Sequence, residues 1–184
     1  MKVTGTNLPG VLIIEPRVFQ DARGFFLETY SASRYEGAGV VGPFVQDNHS
    51  RSLKGTVRGL HLQVTKPQGK LMRAVSGSML DVAVDVRVGS PTFGKWASTL
   101  LSGDNFTQLY VPPGFAHGFA VLSDLVDVEY KCTDYYDAND ELTVRWNDPA
   151  IGIDWPVKDP TLSVRDRNAL LLTELADRLP RYDR

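Results

Sequence analysis

The side chains best suited to move protons near neutral pH are imidazoles, and the chain has three of them: His49, His61 and His117. His61 lies in the segment Thr56–Gln63, a short apolar run that is typical of a strand. Its imidazole can act as a general base, or it can be a partly buried structural residue that is hydrogen-bonded to its neighbours. Because histidines are so few, any histidine chemistry must centre on these positions.

The strand around His61 also carries a cation. Simple alternation places Val57, His61 and Gln63 on one face of the strand and Arg58 on the other. Arg58 can join His61 only if the strand bulges, and Gly59 is the residue that would allow a bulge.

His117 ends the segment Pro112–His117, which has the pattern Pro-x-Gly-x-x-His of a tight turn that leads into a strand. This pattern resembles the second half of the cupin signature. In metal-binding cupins the first half supplies His-x-His and a later Glu, so that imidazoles and a carboxylate converge on one ion. Here residues 61–63 are His-Leu-Gln, and neither Thr65 nor Lys66 is acidic. The sequence therefore resembles a cupin barrel that has lost its metal, and a metal site with two histidines and Gln63 is the alternative.

Three cations in the N-terminal half of the chain suit a diphosphate: Arg23, Arg58 and Lys70. An arginine can grip phosphate oxygens with two parallel hydrogen bonds, whereas a lysine acts as a mobile point charge. Taken alone, each of the three is better explained as a solvated surface residue. No glycine-rich phosphate loop of the Walker or Rossmann kind is present.

The elements that must position these residues are mostly strands. From Leu80 to Val88 every second residue is apolar, which predicts a half-buried strand. The same alternation returns over Val126–Cys132 and places Tyr130 on the inward face. Further apolar runs are separated by turn-rich pieces and cover Val11–Ile14, Gly24–Tyr30, Thr56–Gln63, Lys70–Ser76, Trp96–Leu101 and Phe106–Val111. Many short strands at this spacing predict an all-β fold, an antiparallel sandwich or jelly roll.

Helices are predicted to be short and peripheral. One covers Ser31–Ala38 after a serine cap, and another covers Asn168–Leu179, which carries four leucines before Pro180 ends it. With 184 residues, 42% hydrophobic and 23% charged, the chain is predicted to form one domain over 1–184. Residues 167–184 would be its C-terminal helical tail.

The composition limits the partners and the compartment. The chain has 20 Lys and Arg against 22 Asp and Glu, a formal net charge of -2, so no overall positive field would gather nucleic acid. No run of about 18 apolar residues and no N-terminal signal pattern predicts membrane insertion or export. The single cysteine, Cys132, excludes an intramolecular disulfide and suits a reducing compartment, so we predict the cytoplasm.

Seven segments form an ordered set of motifs between about Lys2 and Asn168: Asp21–Glu28, Gln46–Ser50, Arg58–Gln63, Pro67–Leu71, Gly89–Trp96, Gly114–Phe119 and Tyr130–Tyr136. Together they resemble the dTDP-4-dehydrorhamnose 3,5-epimerase family, and a collinear set of this length is far more specific than any one histidine. The resemblance implies a cupin jelly-roll barrel and a homodimer. It also implies catalysis without metal or organic cofactor on dTDP-4-dehydro-6-deoxy-D-glucose.

The resemblance implies roles for four residues. His61 resembles the base that removes the substrate proton, Tyr130 the acid on the opposite side, and Lys70 the cation beside the C4 oxygen. Asp166 matches the second acid of the family motif Leu-Ser-Asp-Lys/Arg-Asp and would orient His61. The first acid of that motif is replaced by Val164, which is the clearest departure from the family.

By the same comparison, nine residues resemble contacts to the nucleotide sugar: Arg23, Glu28, Gln46, Asp47, Asn48, Arg58, His117, Glu141 and Arg165. Tyr136 resembles the ring that stacks on thymine, which suits an aromatic side chain at a strand end. For Glu28 and Glu141 the alternative is an exposed acid, and His49 receives no catalytic role.

The implied reaction is epimerisation at C3 and C5 to dTDP-4-dehydro-L-rhamnose, a step of dTDP-L-rhamnose biosynthesis. The C4 ketone acidifies the protons on both carbons, so each can be removed to give an enolate and returned on the other face. Three alternatives stay open: an enzyme of an antibiotic deoxysugar pathway that epimerises one carbon, a metal-dependent cupin enzyme, and a non-catalytic barrel that binds a sugar nucleotide.

Overall fold

The computed structural model describes residues 1–182, and its strands form two antiparallel sheets that pack face to face. The six-stranded sheet consists, in spatial order, of β1 (Lys2–Gly5), β2 (Leu12–Glu15), β10 (Gln108–Val111), β7 (Lys70–Ser76), β12 (Leu125–Cys132) and β5 (Gln46–Leu53). The five-stranded sheet consists of β13 (Glu141–Thr143), β6 (Val57–Gln63), β11 (Phe115–Val121), β8 (Ser78–Asp85) and β9 (Trp96–Ser102). A separate hairpin pairs β3 (Val18–Asp21) with β4 (Gly24–Leu27). The all-β jelly-roll prediction is confirmed.

The space between the two sheets, here called the lumen, holds the main apolar core. Met72 and Val128 enter it from the six-stranded sheet and meet Met79 and Phe119 from the five-stranded sheet. A second core covers the outer face of the five-stranded sheet with residues from the C-terminal part of the chain, among them Trp155, Leu172, Leu175 and Leu179. The five-stranded sheet is therefore covered on both faces.

This double covering corrects the prediction for β8. Its apolar residues pack in the outer core as the alternation predicts, and Val82 is an example. The opposite face is not exposed to solvent, because it lines the lumen: Asp81 and Ala83 are both fully buried. A strand is present as predicted, but it covers Ser78–Asp85 and not Leu80–Val88. Its half-buried character was also wrong, because the second sheet closes over its polar face.

Strand β6 bulges at the predicted glycine. His117 on β11 pairs with His61, whereas Phe119 pairs with Arg58, so one residue of β11 lies opposite two residues of β6. Gly59 has a φ of 118°, which favours glycine. The bulge brings Arg58 and His61 to the same lumenal face.

The bulge leaves no room for a larger residue at its centre. A Cβ on Gly59 would lie 2.6 Å from the Cα of Gly118 on the neighbouring strand. Val57, which we predicted to share a face with His61, packs in the outer core instead, because the bulge intervenes between the two residues.

The helices are short, as predicted, but the C-terminal one differs. Helix α1 spans Ala32–Glu36, and Ser31 occupies its N-cap position without making a side-chain capping bond. The predicted helix over Asn168–Leu179 was wrong, because this span holds only a 3₁₀ helix over Leu172–Leu175. A short helix, α2 over Val164–Arg167, lies just before it.

The C-terminal segment is irregular because its leucines follow the sheet they cover. Leu170 forms a bridge with Val144 beside the five-stranded sheet, and the later leucines reach the outer core one after another. Residues 183–184 of the predicted tail lie outside the described residues. Among residues 1–182, no helix has the length and apolar character needed to span a bilayer.

Candidate active site

His61 contacts a buried carboxylate. Its Nε2 lies 2.6 Å from Oδ1 of Asp166, whose side chain is 3% exposed. Asp166 belongs to α2, and the N-cap residue Ser163 accepts a hydrogen bond from the Asp166 N–H at 3.0 Å. The Ser163 hydroxyl also donates to Oδ2 of Asp166 at 2.8 Å. Each carboxylate oxygen therefore has a partner, and the start of α2 sets the orientation of the acid.

The charge of Asp166 determines what His61 can do. Burial raises the pKa of the Asp166 carboxyl, but hydrogen bonds from His61, Ser163 and the backbone of Gly59 outweigh burial and hold that pKa below its ordinary value. The acid is therefore a carboxylate at neutral pH. A carboxylate beside Nε2 favours the tautomer that carries its hydrogen there, which leaves the Nδ1 lone pair of His61 able to accept a proton.

Tyr130 and Lys70 face the same lumen from the opposite sheet. Tyr130 packs against the lumenal core, which confirms the predicted inward orientation. Burial raises the pKa of the Tyr130 phenol, so its hydroxyl keeps its proton at neutral pH. Lys70 is the cross-strand partner of Cys132; burial lowers the pKa of the Lys70 ammonium, and Cys132 and Asp81 oppose that change. The His61 imidazole, the protonated Tyr130 phenol and the buried Lys70 amine therefore all face the lumen.

Strand β5 adds amides beside this group. The Gln46 side chain donates to Oδ1 of Asn48 at 3.0 Å, and the Asn48 amide lies 3.6 Å from the Cys132 sulfur. Oε1 of Gln46 accepts a hydrogen bond from the backbone N–H of Tyr136 at 2.9 Å. Arg58 donates to Oγ of Ser52 on the same strand at 2.9 Å. Of the predicted substrate contacts, Gln46, Asn48 and Arg58 thus lie on two strands that border the lumen.

A chain of polar contacts connects Tyr136 to α2. The Tyr136 hydroxyl donates to Oε2 of Glu141 at 3.1 Å, and the same carboxylate forms an ion pair with Arg165. The Glu141 side chain is largely buried, so the exposed-acid alternative does not describe it. Arg165 directly precedes Asp166, which connects the predicted stacking ring to the helix that carries the histidine partner.

Three predicted substrate contacts lie away from this group. The Asp47 carboxylate pairs with Lys131 at 2.9 Å, on the face of the sheet that points away from the lumen. Glu28 pairs with Arg34 of α1 at 3.0 Å. Arg23 lies between β3 and β4, pairs with Asp21 and has a side chain that is 90% exposed. Within one copy of the chain, the structure does not bring these three side chains to His61.

One lumenal residue was missed by the sequence reasoning. His117 Nε2 lies 2.7 Å from Oδ1 of Asp81, and both side chains are buried. The alternation over Leu80–Val88 predicts a half-buried strand with Asp81 on its polar face. The signal that could have revealed it is an acid inside the strongly apolar run Met79–Val88, since a buried charge needs a partner.

The residues proposed for a metal do not form a ligand set. His61 and His117 each direct Nε2 to a carboxylate, and the Gln63 amide donates to the carbonyl oxygens of Lys66 and Tyr135. Nowhere in the described part of the chain do three or more His, Cys, Asp or Glu side chains converge as metal ligands. The metal-dependent alternative therefore has no donor set to support it.

Comparison with known proteins identifies the family. The family model described as dTDP-4-dehydrorhamnose 3,5-epimerase matches residues 5–174. The Pseudomonas aeruginosa protein of that name is 52% identical over 169 residues, which cover 91% of this chain and 93% of that protein. The Neisseria gonorrhoeae protein of that name is 53% identical over 167 residues, or 90% of this chain, and the chain spans about half (51%) of its length.

A solved structure agrees with these relatives. The dTDP-6-deoxy-D-glucose-3,5-epimerase of Legionella pneumophila, crystallised with dTDP-4-keto-L-rhamnose, is 48% identical, and the match covers 100% of this chain and 99% of that one. The TM-score between the two structures is 0.96. By sequence and by fold, this chain belongs to the dTDP-4-dehydrorhamnose 3,5-epimerase family.

Proposed function

We propose that the protein converts dTDP-4-dehydro-6-deoxy-D-glucose to dTDP-4-dehydro-L-rhamnose by inverting C3 and C5. The observation that carries this proposal is the lumen that holds the His61–Asp166 pair on one sheet and a protonated Tyr130 phenol on the other. Membership of the epimerase family supports the same conclusion. The reaction requires a base on one face of the sugar ring and an acid on the other.

His61 is the base in this proposal. The C4 ketone acidifies the protons on C3 and C5, and Nδ1 of His61 removes one of them while Nε2–H donates to Asp166. The carboxylate then stabilises the imidazolium that forms. Such a positioned base contributes about 10²- to 10⁴-fold to the rate.

Tyr130 and Lys70 complete the proton transfer. Tyr130 returns a proton to the opposite face of the ring, which its raised pKa supports because the phenol stays protonated near neutral pH. The Lys70 ammonium lies beside the C4 oxygen and stabilises the negative charge of the enolate as it develops. After each inversion His61 carries the proton that it removed and Tyr130 has lost its own, so proton exchange with water restores both groups and balances the reaction.

The remaining lumenal and rim residues bind the nucleotide sugar. Arg58 binds a phosphate oxygen, while Gln46, Asn48 and His117 provide hydrogen-bonding groups near the sugar and diphosphate. Tyr136, half-exposed at the rim, stacks on the thymine ring. The contacts of Tyr136 with Glu141, and of Glu141 with Arg165, support this arrangement because they hold the ring next to α2.

We further propose that the active form is a homodimer. The β3–β4 hairpin exposes three aromatic side chains, Phe19, Phe25 and Phe26, at 49%, 59% and 70%. An apolar surface of this kind is typical of a protein interface. If the hairpin lies on a second copy, Arg23 reaches that copy's substrate, which explains why it is remote from His61 in its own copy.

Mixing two inactive variants tests the dimer. When Arg23→Ala and His61→Ala chains are exchanged, half of the dimers are mixed, and each mixed dimer has one intact site if Arg23 serves the second copy. About a quarter of the wild-type activity should then return, as expected for a twofold dimer. No recovery in a mixture shown to contain mixed dimers would contradict this assignment of Arg23.

We also propose a cytoplasmic location. The single cysteine, Cys132, is buried and free, and unpaired thiols are typical of a reducing compartment. Cell fractionation with an antibody against the protein would test the location.

Deuterium incorporation tests the reaction itself. In deuterated water the wild type should place deuterium at both C3 and C5 of the 4-keto sugar, whereas an enzyme for one carbon labels only that carbon. Tyr130→Phe should still exchange a proton with solvent but fail to complete inversion, because His61 remains while the opposing acid is lost. Absence of exchange at either carbon in the wild type would refute the proposed function, and binding without exchange would indicate a non-catalytic barrel.

A further inference from the structure

We propose that Asp81 is a positioning residue of the epimerisation site, whose carboxylate holds the His117 imidazole and keeps the Lys70 ammonium charged inside the lumen. This inference rests on the proposed function and adds to it a residue for which we found no role in the sequence.

Asp81 is fully buried but only partly bonded. Its Oδ1 lies 2.7 Å from His117 Nε2, and its Oδ2 has no hydrogen-bond partner among residues 1–182. A buried carboxylate with an unpaired oxygen is costly, and it persists where its charge has a use or where a bound molecule completes it. The unpaired oxygen therefore points to a function in the lumen.

The cation that the Asp81 charge can stabilise is the Lys70 ammonium. Among the described residues, its ammonium has no ion-pair partner within 4.0 Å, although it lies in the lumen. The titratable and charged groups that share the lumen with it are Cys132 and Tyr130 on β12, Arg58 and His61 on β6, Asp166 on α2, His117 on β11 and Asp81 on β8.

Asp81 is the anion in this set that favours a charged Lys70. Burial lowers the pKa of Lys70, and both Cys132 and Asp81 act to raise it again. Burial raises the pKa of the Cys132 thiol, so that group is neutral near pH 7. Tyr130 is neutral for the same reason, and the Asp166 carboxylate is bonded to His61.

The separation of the two charges suits catalysis. Asp81 and Lys70 do not form a direct ion pair, so the ammonium stays available to the C4 oxygen instead of being neutralised by contact. The same carboxylate favours a hydrogen on Nε2 of His117, which leaves Nδ1 as an acceptor for a substrate hydroxyl. One acid thus orients an imidazole and supports a cation.

The substitution Asp81→Asn tests the charge separately from the shape. Asparagine has nearly the same size, and its oxygen can still accept the hydrogen bond from His117 Nε2. Activity that depends on protonated Lys70 is lost as pH rises through the pKa of Lys70, and removing the anion lowers that pKa. The basic limb of the kcat/KM profile should therefore move to lower pH by about one unit. A loss that is uniform across pH, with the limb unmoved, would show a merely structural role.

Two control variants isolate the effect. Asp85→Asn changes an acid on the same strand that is equally buried but bonded to Arg87, Ser90 and Thr92, so it should lower stability and leave the limb in place. His117→Gln removes the imidazole but keeps the Asp81 charge, so its basic limb should also match the wild type. A limb displaced equally in all three variants would overturn the proposal.

Direct titration of Lys70 provides a second readout that does not need activity. Lysine labelled with ¹³C at Cε can be followed by NMR, with the Lys70 signal assigned by its absence from Lys70→Arg. The Lys70 pKa should be about one unit lower in Asp81→Asn than in the wild type. If Asp81→Asn does not fold, a wild-type Lys70 that titrates below pH 7 refutes the proposal. Wild-type deuterium exchange at C3 and C5 shows independently whether the proposed function holds.

Discussion

Two histidine–aspartate pairs lie on different sheets of the barrel, one facing the lumen and one facing outward, and they differ in the exposure of the histidine and in the other partners of the acid. In the lumen, His61 Nε2 is 2.6 Å from Asp166, and on the outer face of the six-stranded sheet, His49 Nε2 is 3.1 Å from Asp127. The His61 side chain is 27% exposed and that of His49 is 56% exposed. Both acids are nearly buried.

The difference lies in what else each acid binds. Asp127 accepts two hydrogen bonds from Arg51, both at 2.9 Å, and one from Ser76 at 3.0 Å. The Arg51 guanidinium is the main partner of the Asp127 carboxylate, and it lowers the pKa of Asp127 more than His49 does. Asp166 has no such cation beside it among its hydrogen-bond partners, so its charge acts on His61. A histidine–carboxylate contact is therefore a poor indicator of catalysis unless the remaining partners of the acid are known.

The largest expected difference in activity is between variants of the two histidines. His61→Ala is expected to lower kcat by about 10³-fold or more because the base is lost, whereas His49→Ala should change it by less than about twofold. Deuterium exchange into the 4-keto sugar measures both variants. A comparable loss in both would mean that the outer pair also takes part in catalysis.

The next largest expected difference in activity is between variants of the two acids. Asp166→Asn is expected to lower kcat by about 10²-fold, because a neutral amide no longer stabilises the imidazolium of His61 or selects its tautomer. Asp127→Asn should leave kcat nearly unchanged. Steady-state kinetics with the same substrate test this, and activity lost in Asp127→Asn alone would reverse the assignment.

The outer acid should instead affect stability, in a way that depends on pH. The pKa of the Asp127 carboxyl lies below its ordinary value, first because of Arg51 and then His49. The stabilising effect of this acid is therefore present above the ordinary pKa and is lost as pH falls through the folded-state pKa. Thermal unfolding should show Asp127→Asn melting a few degrees below the wild type at pH 7. The gap should narrow in acid below about pH 4. An equal gap at both pH values would contradict the electrostatic explanation.

The smallest effect concerns the two serines that bond these acids. Ser163→Ala removes the cap of α2 and one bond to Asp166, so it should cost about 1 kcal/mol of stability and also lower kcat several-fold. Ser76→Ala should cost about 1 kcal/mol or less and leave kcat unchanged. Chemical denaturation and initial rates are measured on both variants. A loss of both stability and rate only in Ser163→Ala would show that the Ser163 cap supports the active site, whereas the Ser76 bond stabilises only the sheet.

Local patterns were sufficient for the parts of the site that lie along one strand. Alternation over Val126–Cys132 indicated which way Tyr130 points, and the opposite parity of Arg58 and His61 required a bulge at Gly59. The strict alternation of a strand also places Asp47 and Asn48 on opposite faces of β5, so only one of the two side chains can point into the lumen.

Features that depend on a second layer could not be predicted in this way. The polar face of β8 reads as solvent-exposed until another sheet covers it, so the burial of Asp81 has no local signature beyond its apolar neighbours. The C-terminal leucines have nearly helical spacing, yet the surface they cover decides their path. The same limit applies to Arg23, whose exposure in one copy becomes meaningful only with a second copy.

The bulge in β6 also bears on attempts to redesign this barrel for other keto sugars. Two glycines, one on each neighbouring strand, let the backbones approach so closely that Arg58 and His61, three positions apart, both point inward. Randomising the lining of the cavity while keeping Gly59 and Gly118 should therefore yield folded libraries, whereas diversity at either glycine would remove Arg58 and His61 from a common cavity in a single step.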